Sequence, residues 1–195
     1  MSLNCQDGVA MGASAKLDQD SVVSAAFEVL NSVGLDRLSL RLVADRLGVQ
    51  APALYWHVHN KAEIISLMAA KLSEAASLER VGGKTWREKL MLSARARRHA
   101  MLNQRDSARV CVLAEPRRSA ADAESQLTAP LLALGLSARQ ALSCQAAVIA
   151  YTVGWVAYEQ SQAMHDFLTQ LIDFEESFET GLQAMVGGFN STGVP

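Results

Sequence analysis

Three sets of side chains in this sequence have the means to do chemistry. The first is at residues 39–41. Arg41 carries a guanidinium that can grip guanine O6 and N7 together, the commonest specific contact between a protein and a base. Ser39 and the free N–H groups of a helix opening at Leu40 can hold a phosphate, because a helix start presents unpaired donors at the positive end of its dipole. The second set is Arg95, Arg97 and Arg98, which can receive an anionic or carbonyl-bearing ligand or lie on the surface. The third is the cysteines and histidines. Cys5, Cys111 and Cys144 have no metal-ligand spacing, and His57 and His59, two apart, fall on different helical faces, so no metal site is expected. The chain has no G-x-S-x-G, no phosphate-binding loop and no Cys–His signature, so neither an enzyme nor a cofactor is expected.

The elements that must position these groups read as helices throughout, which makes the chain all-α. Residues 1–16 are Gly/Ala/Ser-rich and aperiodic, a flexible arm. Asp18 or Asp20 can cap a first helix with Val22, Val23, Ala26, Phe27 and Leu30 at helical spacing, stopped by Gly34. Ser39 caps a second, with Leu40, Val43, Ala44 and Leu47 on one face and Gly48 as its stop. A short third helix starts at Ala51 with Pro52 in its first turn, and a fourth runs from Lys61 to Leu78 before Gly82-Gly83. Further helices are expected at 85–104, 106–114, 119–133, 137–162, 164–171 and 174–187. This divides the chain into a helix-turn-helix unit at 17–62, a larger bundle at 63–188 and a tail at 189–195.

The segment LRLVADRLGVQAPAL, Leu40 to Leu54, meets the steric demands of a helix-turn-helix. Ala44 is small enough for two helices to cross, Gly48 permits the tight turn, and Leu54 anchors the second helix from its buried side. Trp56 is expected to join the core. Over Phe27 to Ile65, FEVLNSVGLDRLSLRLVADRLGVQAPALYWHVHNKAEII resembles the DNA-binding domain of the tetracycline-repressor (TetR) family. The block LYWHV-NK is its most specific part. Weaker likeness extends past Trp86, through Arg105-Asp106 and into FETGL at 178–182.

The resemblance implies a helical homodimer whose three-helix N-terminal domain binds a pseudo-palindromic double-stranded operator. A small molecule in the C-terminal ligand-binding and dimerisation bundle would release it. On this reading Ser39, Leu40 and Arg41 lie at the DNA, and Tyr55, His57 and Lys61 grip phosphates. Gln50, Ala51, Pro52 and Ala53 face the groove, where Ala51 and Ala53 can touch only thymine methyls. The implied effector lining is Ser77, Trp86, Leu90, Ser93, Ala94, Arg97, Cys111, Tyr151, Trp155 and Tyr158, apolar walls with a few polar groups. Ser77, Ser93, Arg97 and Cys111 stand where the family's namesake has a His, an Asn, a Phe and a metal-binding His, so the effector is not expected to be tetracycline.

Segments 137–162 and 174–187 carry small and apolar residues at helical spacing: Ala141, Ala147, Ala150, Val153, Gly154 and Ala157, then Phe174, Phe178, Gly181, Leu182 and Met185. This pattern suits an intramolecular core or a four-helix dimer interface, and the resemblance favours the interface. An alternative regulator would use Cys111 or Cys144 as a thiol-redox sensor.

Bulk properties agree with these readings. The 195 residues suffice for one large or two small domains, and the net charge of -2 argues only against strong non-specific DNA binding. That charge is unevenly spread: residues 80–118 hold eleven Lys/Arg against three acids, and residues 120–195 one Arg against eight acids. The two segments are either opposed solvated faces, partners in ion pairs, or surroundings of an anionic ligand. No secretory signal and no charge-free apolar stretch of membrane-spanning length is expected, and reduced thiols fit a cytoplasmic protein.

Overall fold

The computed structural model describes residues 17–77 and 79–189. The expected arm at 1–16, Leu78 and residues 190–195 of the tail lie outside them. The described residues form helices joined by turns, with no strand. They are α1 (Gln19–Val33), α2 (Leu40–Leu47), α3 (Ala51–Leu54), α4 (Lys61–Ala75), α5 (Trp86–Leu102), α6 (Ser107–Leu113), α7 (Ala120–Leu132), α8 (Ala138–Gln160), α9 (Gln162–Leu168) and α10 (Phe174–Gly188).

Side-chain caps fix most of these starts. Asp18 accepts from the Ser21 N–H at 2.8 Å while Ser21 Oγ accepts from the Asp18 N–H. Ser39, Asn60, Thr85, Ser119, Ser137 and Asp173 each accept a backbone N–H at the start of α2, α4, α5, α7, α8 and α10, and at Thr85 and Ser137 the third residue of the helix reciprocates. Gly48 closes α2 at φ 69°, where a Cβ would be strained, and so turns the chain into α3. α4 ends at Ala75, short of the expected Leu78, because the chain turns there: the Arg80 and Val81 N–H groups both donate to Ser77 O. α9 begins two residues earlier than the spacing suggests, at Gln162.

Two apolar cores result. The first joins Val22, Leu30, Val43, Leu54, Val58, Ile64 and Met68 of the N-terminal helices to Met101, Val110 and Val156. The N-terminal helices are therefore packed onto α5, α6 and α8. The second core gathers Trp86, Leu90 and Ala94 of α5, Leu131 of α7, Ala141 and Val148 of α8, and Phe178, Leu182 and Val186 of α10. Each fully buried Leu or Phe contributes roughly 1.5–3 kcal/mol of transfer free energy.

Part of the uneven charge resolves into pairing between the two segments, through Arg95 and Arg98. Arg95 holds Glu179 in a fork at 2.7 Å through both Nε and Nη2. Arg98 binds Glu159 at 2.8 and 2.9 Å and also reaches Glu175. Burial by itself would lower the pKa of Arg98, but hydrogen bonds to Glu159 and Glu175 outweigh it and raise it.

α8 corrects the expectation of no long apolar stretch. Its 23 residues, with a mean hydropathy of 1.3 over an 18-residue window, are long and apolar enough to cross a membrane. The fold gives another reason for that composition. One side of α8 buries Ala141, Cys144, Val148 and Val156 together with the polar Gln145 and Thr152, and the other presents Ala146, Ala150, Gly154 and Ala157.

Three residues read as interface candidates belong to the protomer's own core: Ala141, Phe178 and Leu182 are each 0% exposed. Gly181 also serves the protomer, since a Cβ there would collide with Tyr151 Oη. Tyr151 is held by its hydrogen bond to Phe178 O and by stacking on Trp155 and Phe178, so it cannot retreat cheaply. Gly181→Ala is expected to lose about 1–3 kcal/mol through overpacking, measurable by urea unfolding. An unchanged midpoint would mean the tyrosine moves freely.

Candidate DNA interface and effector region

α2 and α3 divide their residues sharply between core and solvent. Val43, Ala44, Leu54 and Val58 are at most 1% exposed, whereas Arg41, Gln50, Pro52, Ala53 and Tyr55 lie on the outside. Leu40 and Ala51 are half-buried against the first core. Gln50 precedes α3 without capping it through its side chain, so its amide is not committed to the helix start. Ser39 is committed: its Oγ takes the Leu42 N–H at 3.3 Å and fixes the start of α2 beside Arg41.

Trp56 corrects the sequence reading. It is 88% exposed, not core. α3 is only four residues long, and Leu54 and Val58 already fill the interior, so the residue midway between them points outward. It stands beside the half-exposed Tyr55, and His57 follows, half-buried. Lys61 turns its ammonium onto Leu35 O at 2.8 Å and Asp36 O at 3.4 Å, which orders the loop between α1 and α2.

That loop is also gripped from behind by a feature the sequence reading missed. Asp106 Oδ2 accepts from the Leu35 N–H at 2.8 Å, Asn31 Oδ1 accepts from the Arg105 N–H at 2.8 Å, and Arg109 clasps Asp36 with both terminal nitrogens. Hydrogen bonds and charge from Arg109 hold the Asp36 carboxyl below the usual carboxylate range. Asp106 sits at φ 54° before α6, an unusual conformation for a residue with a Cβ, and that places its carboxylate on the loop. A break at Arg105-Asp106 is legible in the sequence; the partner across the fold is not.

The ten candidate effector residues are brought to α4, α5, α6 and α8 but not into one cluster. Trp86, Leu90 and Ala94 are buried in the second core, with Tyr151 and Trp155 packed against it. Trp155 Nε1 is buried with no hydrogen-bond partner among the described residues. Tyr158 is 49% exposed on the outer part of α8. Ser93, Arg97 and Cys111 sit where α5 meets α4 and α6, next to Ser77 at the end of α4: Ser93 Oγ donates to Ala76 O at 2.6 Å, and Arg97 Nη1 to Ser73 Oγ at 3.3 Å. Burial raises the Cys111 thiol, with only partial relief from Arg97. Two open surface depressions, of about 160 and 370 Å3, are lined by Glu88, Met91, Leu92 and Arg95 and by residues of α7 with Glu79 and Arg118; neither includes any of the ten.

α4 is thereby tied at both ends. Its first residue, Lys61, holds the loop leading to α2, and its last turn is latched to α5 by Ser93 and Arg97. In between, Ser66 Oγ accepts from the Glu115 N–H just after α6.

Residues 22–68 match the family described as bacterial regulatory proteins, tetR family, and residues 81–167 match the tetracyclin repressor-like C-terminal domain. The class A tetracycline repressor protein from transposon 1721 of Escherichia coli is 39% identical over 152 residues, 75% of this chain and 68% of that protein. The crystal structure of TetR from Acinetobacter baumannii AYE superposes with a TM-score of 0.73 at 32% identity, covering 89% of this chain and 97% of that one. Mycobacterium smegmatis BioQ gives 0.71 at 31% identity, covering 91% and 100%. Together with an exposed helix-turn-helix on a helical body, these matches establish that the chain belongs to the TetR family, transcriptional repressors that bind operator DNA as dimers under the control of small-molecule effectors.

Proposed function

We propose that this chain, as a homodimer, reads a pseudo-palindromic operator with Arg41, Gln50 and the apolar edge of Ala51, Pro52 and Ala53. Ser39, Tyr55 and His57 set its register on the phosphates, together with the one ammonium N–H of Lys61 that the carbonyls of Leu35 and Asp36 leave open. The observation that carries this reading is the uncovered outer side of α2 and α3, where Arg41 and Gln50 stand free of the core beneath them. Trp56, on the same side, adds an aromatic surface beside the phosphate-gripping residues. The effector is read from α4, α5, α6 and α8, and its binding shifts α4. Because α4 holds the loop before α2 at one end and α5 at the other, a tilt of α4 carries the head with it and changes the spacing of the two recognition helices.

The residues at this junction do not fit a magnesium–tetracycline chelate. A buried guanidinium repels a divalent cation, and a thiol whose pKa burial has raised is a poor ligand for magnesium, which prefers oxygen. The redox alternative through Cys111 or Cys144 has no support, since burial raises both thiols and disfavours the reactive thiolate.

The homodimer uses the outer sides of α8 and α10, where Ala146, Ala150, Gly154 and Ala157 of the one and Thr180, Ala184 and Gly187 of the other are exposed.

Arg41→Ala tests the operator reading. It is expected to weaken operator binding by about 1–3 kcal/mol and to relax specificity at one symmetric pair of positions, with dimerisation unchanged. Fluorescence anisotropy against the preferred sequence and its single-base variants measures both effects. Weaker binding with specificity intact would make Arg41 a phosphate contact instead.

A further inference from the structure

Among the three arginines on the middle of α5, the answering groups differ. Arg95 and Arg98 are each met by carboxylates of α8 or α10. Arg97 points the other way, toward α4 and α6, and is only 6% exposed. Among the described residues it makes no ion pair. One hydrogen bond of 3.3 Å, to the hydroxyl of Ser73, serves a group that carries five N–H donors. A guanidinium withdrawn from water keeps its desolvation cost unless an anion answers it, and a serine hydroxyl does not. The same burial depresses the Arg97 pKa, against a small opposing contribution from Cys111. Trp86, Leu90 and Ala94, earlier on α5, turn instead into the second core, so the neighbours of Arg97 are those of α4 and α6.

We infer that Arg97 is the anion-recognising residue of an effector site at the junction of α4, α5 and α6, and that the effector is a small organic acid with an apolar body. The acid's carboxylate, or an equivalent group ionised at neutral pH, takes the open N–H groups of Arg97 in a bidentate grip. Its body lies against the apolar groups that α4 and α6 bring to this junction, Leu72 and Cys111 among them. Because Arg97 already touches Ser73 on the last turn of α4, drawing the guanidinium onto an anion loosens the α4–α5 latch. The inference rests on the reading that the effector acts here, and it names the effector's chemical class.

The test uses the full chain and matched pairs of ligands: benzoate, salicylate, cinnamate and 1-naphthoate, each beside its uncharged primary amide. Thermal unfolding reports binding, and anisotropy of the preferred operator reports release. The acids, at millimolar concentration, are expected to raise the unfolding temperature while the amides do not. Arg97→Met is expected to weaken the acids by about 10- to 100-fold, with Arg97→Lys recovering part of the loss. Without ligand, Arg97→Met should be at least as stable as the parent, since an apolar side chain of similar reach replaces an unanswered charge. The inference is overturned if no acid stabilises the protein, if amides match their acids, or if Arg97→Met binds acids undiminished. The acid–amide comparison on the parent protein stands even if the variant fails to fold. Acids that bind through Arg97 without releasing operator would uphold the anion site and refute the effector reading. Amides that release operator would do the reverse.

Discussion

Gly154→Arg is expected to give a folded monomer whose operator affinity has fallen by about 10²- to 10⁴-fold, the contribution of tethering two half-site readers together. Gly154 lies in the middle of α8, where glycine costs about 1 kcal/mol relative to alanine. Among the described residues nothing recovers that cost: a Cβ built there meets no atom of theirs within 4 Å. The neighbouring outward positions, Ala146, Ala150 and Ala157, are equally small. A row of small residues backed by open space suits the close approach of a second helix, here α8 or α10 of the partner. Arginine is a good helix former, so the substitution leaves α8 intact while filling the space the partner needs. Light scattering on the eluting protein, with circular dichroism to confirm helicity, reads the outcome. A dimer that persists with full operator affinity would place the interface elsewhere.

Arg98→Ala carries the largest expected cost in stability, about 3–5 kcal/mol. The Arg98 and Glu159 side chains are only 10% and 9% exposed, so removing the cation strands a carboxylate out of water. Arg98 also lies 4.8 Å over the Phe178 ring, at the centre of the second core. For a chain of this size the loss lowers the unfolding temperature by roughly 10 °C at fixed protein concentration. Combining Arg98→Met with Glu159→Leu should recover most of it, because the stranded charge is then gone. Arg95→Ala should cost far less, its partners Arg95 and Glu179 being 40% and 24% exposed. Equal losses at Arg95 and Arg98 would contradict the burial argument. Acid acts on the same pairing: Arg95 holds the Glu179 carboxyl below its ordinary value, so the stability it gives is present above the unfolded carboxylate pKa and fades as pH falls through the lower folded one.

The helices are largely legible because their caps and stops are local: Asp18, Ser39, Gly34 and Gly48 act within a turn or two of themselves. What lies between helices was harder to read. Trp56 was misassigned because hydrophobicity alone does not reveal that α3 ends at Leu54 and leaves the next aromatic facing out. Ala141, Phe178 and Leu182 share their spacing with a dimer face, and only the packing of α5 and α10 against α8 shows which side of each helix is already filled. The destinations of Arg95, Arg97 and Arg98 depend on carboxylates more than 60 residues away, or on there being none, which no local pattern encodes. The clasp of Asp106 on Leu35 is hidden for the same reason.

On the proposal above, the exposed side of α2 and α3 reads a specific two-fold operator. Selecting bound fragments from a random double-stranded DNA pool, then sequencing them, tests it most directly. The expected result is a two-fold symmetric consensus whose half-sites each hold a guanine that Arg41→Ala no longer selects. Dimeric, folded protein that enriches no consensus, with or without the acids that bind it, would contradict the claim.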